Sequence, residues 1–110
     1  MNNEAVEEGK TIAVISYITI FGVLIAFFMN NEKKNQFAAF HIRQSLGLWL
    51  TFFAIGLVVS NFDSWLASIA FYIFFGVLFI YGLLTALGGS TTPAPVLGAF
   101  FQKFFSGLGR

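Results

Sequence analysis

The sequence predicts an all-α helical transmembrane bundle: three spans, then a C-terminal amphipathic helix lying in the membrane interface. Three observations predict it. The chain is 57% hydrophobic and 10% charged, with 16 Phe in 110 residues, whereas soluble domains carry about 25% charged residues. Its apolar runs reach bilayer-crossing length, about 20 residues, and short polar connections separate them. Its last segment repeats apolar residues on one helical face. This length bounds the chain to a single integral membrane domain, residues 1–110.

Composition also excludes function classes. There is no Cys, so thiol chemistry and Cys-ligated metals drop out. A net charge of +1 gives no footprint for nucleic acid. One His with few carboxylates nearby makes no metal site. Asp63 is predicted on the opposite membrane face from His41, so no Ser-His-Asp set forms. No glycine-rich phosphate loop occurs. Catalytic, cofactor-binding and metal-binding residues are therefore not expected, and neither is an enzyme.

Residues 1–9 read as a polar, acidic tail (Glu4, Glu7, Glu8), with Lys10 at the membrane edge. The first span is 11–29, TIAVISYITIFGVLIAFFM. It follows an acidic start and precedes Asn30-Asn31-Glu32, which is neither the basic start nor the cleavage site of a signal peptide. Ser16, Tyr17 and Thr19 place hydroxyls in this span, and Tyr17 is expected to face protein, because its hydroxyl needs a partner. Gly22 and Ala26 form a small-xxx-small pair that admits a neighbouring helix.

A hydrophilic turn carrying Lys33 and Lys34 leads to the second helix, Gln36 to Ser60, whose embedded part is about 44–60. Asn61-Phe62-Asp63-Ser64 is a tight connection in which Asp63 or Ser64 caps the next helix. The third span is 65–87, stopped by Gly88-Gly89-Ser90. Thr91-Thr92-Pro93-Ala94-Pro95 is a stiff extended linker. Over about 95–108, Val96, Leu97, Phe100, Phe101, Phe104, Phe105 and Leu108 share one helical face, while Gln102, Lys103 and Ser106 lie elsewhere on the wheel. That segment is too short to cross a bilayer and reads as an interfacial helix, with a re-entrant or fourth short span as the alternative. Trp49, Trp65 and Lys103 are expected interfacial anchors.

Lys33, Lys34, Arg43, Lys103 and Arg110 fall on one side of a three-span arrangement, and Lys10 on the other. The positive-inside bias then places the N-terminus outside and the C-terminus in the cytoplasm, in a multi-pass protein of a bacterial cytoplasmic membrane.

The rare polar residues gather at His41, Arg43 and Gln44. Helix rise puts them near the inner boundary of the hydrocarbon core. His41 and Arg43 stand at i, i+2 and point in different directions. Either they contact a partner or a lipid headgroup, together with Lys33 and Lys34, or Arg43 merely snorkels as an anchor. The two lysines either fix topology or attract anionic lipid, the latter worth about 1 kcal/mol per charge.

Ser16-Tyr17, Lys33-Lys34, the string Phe40-His41-Ile42-Arg43-Gln44 and Pro93-Ala94-Pro95-Val96-Leu97-Gly98 resemble the pattern of a bacterial family of small multi-span membrane proteins of unknown function. That family is described as similar to the chloroplast inner-envelope protein-import component. The resemblance runs from about Lys10 to Gln102 and implies a subunit of a membrane complex linked to protein transport; chloroplast members are given four spans. The expected function is an accessory or structural subunit of a larger inner-membrane assembly. The expected partners are the lipid bilayer and other membrane proteins or further copies of the chain. The alternatives are a small oligomeric transporter or channel, for which deep polar residues are few, and a lipid- or quinone-binding protein using His41, Arg43 and Gln44.

Overall fold

The computed structural model of the chain describes residues 3–107. Among these residues it is all-helical: α1 (Asn3–Ile18), α2 (Ile20–Lys33), α3 (Gln36–Val59), α4 (Trp65–Leu87) and α5 (Gly98–Phe104). Of these, α3 and α4 are long and apolar enough to cross a membrane.

The expected first span is two helices. Thr19 leaves the helical region (φ −149°, ψ 168°), and its Oγ1 accepts the Gly22 N–H at 3.0 Å. A Thr side chain can replace the backbone acceptor in this way and so start a new helix. Hydropathy cannot register such a cap, because both sides of it are equally apolar. The polar tail expected over residues 1–9 is instead the beginning of α1, helical from Asn3 and already buried at Gly9.

The break folds α1 and α2 back on each other. The Asn35 side-chain amide donates to the Ala5 carbonyl at 2.7 Å, so the chain leaves α2 beside the place where α1 began. The turn between α2 and α3 is locked by polar side chains. Asn30 Oδ1 accepts the Asn35 N–H at 2.9 Å, and Asn30 Nδ2 donates to the Asn35 carbonyl at 3.1 Å. Asn35 Oδ1 then caps α3 by accepting the Ala38 N–H at 3.0 Å. Both asparagines are buried.

Helix α3 runs from this turn to the far end, and α4 returns. Ser64 caps α4, its Oγ accepting the Ala67 N–H at 3.3 Å. At the other end Gly89 takes φ +75° and the Ser90 N–H reaches back to the Thr85 carbonyl at 2.8 Å. That left-handed residue with its long return bond is the helix stop the Gly-Gly pair predicts.

Two packing zones result. In the near half, α1 lies among α2, α3 and α4, and buries Ile12, Ala13 and Tyr17 with Phe37, Ala38, Ile42 and Leu48 of α3. In the far half α3 and α4 are joined by aromatic rings: Trp49 with Phe79 at 4.5 Å, Phe52 with Phe71 at 5.1 Å, Phe52 with Phe75 at 5.7 Å. Edge-on and tilted ring pairs of this kind favour one another through their quadrupoles. The outer surface of both helices is apolar, including Leu57, Trp65, Leu66, Ile73 and Ile80.

The run expected as one first span, Thr11 to Met29, is folded back on itself at Thr19 instead of forming one continuous helix. The start of α1, the start of α3 and the end of α4 share one end of the molecule, since Asn35 meets Ala5 and His41 meets Ser90. The C-terminal helix is also shorter than expected, seven residues from Gly98 to Phe104, with residue 108 outside the described residues. Its Phe101 is buried and packs on Gly47 of α3, so part of the face expected to meet lipid meets protein.

Candidate functional site

The near half contains a continuous chain of hydrogen bonds. The Ala94 N–H donates to Gln44 Oε1 at 2.6 Å. Gln44 Nε2 donates to the Tyr17 hydroxyl at 2.8 Å. That hydroxyl lies 2.6 Å from His41 Nδ1, and His41 Nε2 lies 2.8 Å from the Ser90 carbonyl. A carbonyl only accepts, so Nε2 carries the proton, Nδ1 accepts, and the Tyr17 O–H donates. The relay thus runs in one direction, from the backbone of Ala94 to the backbone of Ser90, through side chains of α3 and α1. It fits the neutral imidazole.

Each member is placed by its helix. His41 and Gln44 are three residues apart on one face of α3 and are both 0% exposed. Tyr17 ends α1 and reaches them from the side. Its ring rests on the backbone of α4 at Gly82, where a Cβ would stand 2.5 Å from Tyr17 Cε1. Only glycine permits that approach. Phe37, Phe40 and Tyr17 set their rings edge-on around the imidazole, with centroids 4.8 to 5.5 Å away. The site is a buried aromatic cage, in which an unmade hydrogen bond is costly because the side chains of His41 and Gln44 are shielded from solvent.

Arg43 points elsewhere, as its spacing from His41 predicts. Its Nε donates to Gln102 Oε1 at 2.8 Å, and Gln102 Nε2 donates to the Phe40 carbonyl at 2.8 Å. This pair of bonds ties α5 to α3. Lys33 and Lys34 are exposed at the turn before α3, beside Glu4 and Glu8 of α1. The structure therefore joins His41 to Gln44, and sets Arg43 and the two lysines apart from them.

Of the expected interfacial anchors, Trp65 opens α4 and is 75% exposed, and Lys103 is exposed on α5. Trp49 lies deep in α3, about 20 Å from the start of that helix at 1.5 Å per residue. It is packed against Phe52, Phe53 and Phe79, and its indole N–H is buried without a partner among the described residues.

Sequence reasoning did not include Tyr17, Ser90, Ala94 and Gln102 in the site. Tyr17 carried a signal, a phenol inside an apolar run. Ser90 and Ala94 contribute backbone atoms, which no residue type announces. Among the described residues no group of three His, Cys, Asp or Glu stands together to hold a metal ion.

The chain is 28% identical over 94 residues to the UPF0132 membrane protein MJ1527 of Methanocaldococcus jannaschii. The match covers 84% of this chain and 66% of the archaeal protein, so the chain spans just under two thirds of that relative's length. No family model matches the chain. No solved structure matches it either. The similarity and the two apolar helices together support a membrane protein of an uncharacterised family.

Proposed function

We propose that this chain is an accessory or structural subunit of a larger membrane assembly. The observation that carries this reading is the closed relay. The polar side chains buried in the near half are bonded to one another and to the chain's own backbone, from Ala94 through Gln44, Tyr17 and His41 to Ser90. They line no path and present no free polar face to a solute, quinone or headgroup. What remains for partners is an apolar exterior on α2, α3 and α4, the kind of surface on which helices associate in lipid.

The charges support an orientation for this subunit. Lys10, Lys33, Lys34, Arg43 and Lys103 all belong to the half where α1 begins, while Asp63 is the one charged residue of the α3–α4 connection. The positive-inside bias puts the lysine-bearing end in the cytoplasm, and the starts of α1 and α3 with it. Protein translocation, implied by the sequence resemblance alone, is the assembly to test first.

Purification in mild detergent from the native host, with a photo-crosslinking residue at Phe53, Ile69 or Phe28, should recover a defined higher-mass complex. Recovery as a lone, uncrosslinked monomer under several gentle conditions would sink the subunit reading.

A further inference from the structure

The two halves of the molecule differ in thickness along its long axis, which extends 48 Å against 22 Å in the other directions. Helices α3 and α4, 24 and 23 residues, run about 35 Å each. Helices α1 and α2, 16 and 14 residues, run only about 24 and 21 Å. The hairpin they form enters beside Asn35, and its tip passes Gln44 and Gly82 at Tyr17. Beyond that level the hairpin no longer accompanies α3 and α4; α5 lies beside α3 as far as Thr51 and Ala54, and the rest exposes Phe53, Leu57, Val58, Leu66, Ile69 and Ile73. Helix α5 straddles α3's midpoint: Gln102 bonds Phe40 on the hairpin side, while Phe104 and Phe105 line a groove with Thr51 and Ala54 beyond it.

We propose that the chain is a wedge-shaped inclusion that favours membrane curved outward on the leaflet holding the α1–α2 hairpin. The physical reason is area. A helix with its side chains is about 10 Å across, so the hairpin adds about 160 Å² to one leaflet that the other leaflet does not receive. A bilayer accommodates such an imbalance by bending toward the crowded side. Curvature sensitivity of elements confined to one leaflet follows the same logic. The polar locks at Asn30, Asn35 and Tyr17 make the wedge rigid, so that the bilayer deforms around it rather than the hairpin collapsing. The inference depends on insertion as described and not on the subunit reading, so either can fail alone.

The test uses the full chain with a single Asn3→Cys label, which is specific because the protein has no other Cys. The protein is reconstituted in both orientations into phosphatidylcholine/phosphatidylglycerol vesicles spanning small sonicated to large extruded sizes. A membrane-impermeant quencher distinguishes outward from inward labels on single vesicles. Outward-label copies should rise several-fold in density from large to small vesicles, and inward-label copies should fall. A density independent of diameter, or one that changes equally for both orientations, would overturn the proposal. As a second readout, Ile18→Cys should resist an impermeant maleimide on both sides of the membrane. Ready labelling of Ile18→Cys from the side opposite Asn3→Cys would place the tip across the bilayer, and the wedge would not exist.

Discussion

The Tyr17 hydroxyl lies 2.6 Å from His41 Nδ1 and 2.8 Å from Gln44 Nε2, so one phenol joins α1 to both polar residues of α3. In water each such bond would be exchangeable for solvent. Inside an apolar bundle, removal of the hydroxyl leaves a donor and an acceptor unmatched. Soluble proteins lose about 1–3 kcal/mol per buried orphan. Membrane proteins lose less, about 0.6 kcal/mol on average per side-chain hydrogen bond, because the membrane-embedded unfolded state also finds partners.

Tyr17→Phe should therefore destabilise the protein by about 1–2 kcal/mol, measured by unfolding in mixed micelles. Combined with Gln44→Leu, the loss should be less than the sum of the two single losses. Both changes break the same Gln44–Tyr17 bond, so the double variant counts that bond once, while His41 Nδ1 and the Ala94 N–H are left unmatched in the double variant as in the single ones. Strict additivity would show that the phenol and the amide do not act as a pair.

The asymmetry of α1 and α2 gives a topological expectation. Single cysteines at Asn3 and Gln36 should react with an impermeant reagent from the same side of the membrane, and one at Asp63 from the other. These positions are exposed, at the beginning of α1, the beginning of α3 and the α3–α4 connection. Opposite-side labelling of Asn3→Cys and Gln36→Cys would restore a continuous first span and discard the hairpin.

Much of this was legible in the sequence, and the failures have a common cause. Helices α3 and α4 follow from apolar length, and the Ser64 and Gly88-Gly89 boundaries from local side-chain and backbone chemistry. The 11–29 run has the same apolar length, yet Thr19 divides it. Hydropathy sums over the run, while a cap acts at one residue, so one hydroxyl outweighs 18 neighbours. The same limit hid half of the site. His41 and Gln44 were visible as polar residues in an apolar stretch. Their partners at Ser90 and Ala94 are backbone groups about 50 residues away, brought in by the fold. The separation of Arg43 from His41 was legible, because helix geometry alone sets i and i+2 apart.

Gly47 and Phe101 hold α5 on α3. A Cβ at position 47 would fall 2.2 Å from Phe101 Cγ, so the ring must leave. Gly47→Ala should loosen α5 and speed protease cleavage after Lys103 several-fold. The midpoint of global unfolding should change little, since α5 contributes only Gly98 and Phe101 to the buried set. Gly47→Ala with Phe101→Leu should recover part of the protection, because the smaller side chain yields. Unchanged cleavage in Gly47→Ala would mean that this contact does not retain the helix.

Val96 is the strained hinge of that same segment. Its φ is +70°, and the Leu97 N–H bonds to the Pro95 carbonyl at 2.8 Å, the two-residue closure of a γ-turn. A β-branched residue is a steric outlier there, and the form of γ-turn with positive φ is rare and strained. The side chain is 82% exposed, so its removal costs no packing within the chain. Strain of this kind costs about 1–3 kcal/mol, against about 0.5–1 kcal/mol for the extra freedom of an unfolded glycine. Val96→Gly should therefore stabilise the fold by up to about 1 kcal/mol and slow cleavage after Lys103. Val96→Pro fixes φ near −65° and should free α5, raising cleavage to at least the level of Gly47→Ala. A stabilising Val96→Pro would show that the turn is not held in the left-handed region.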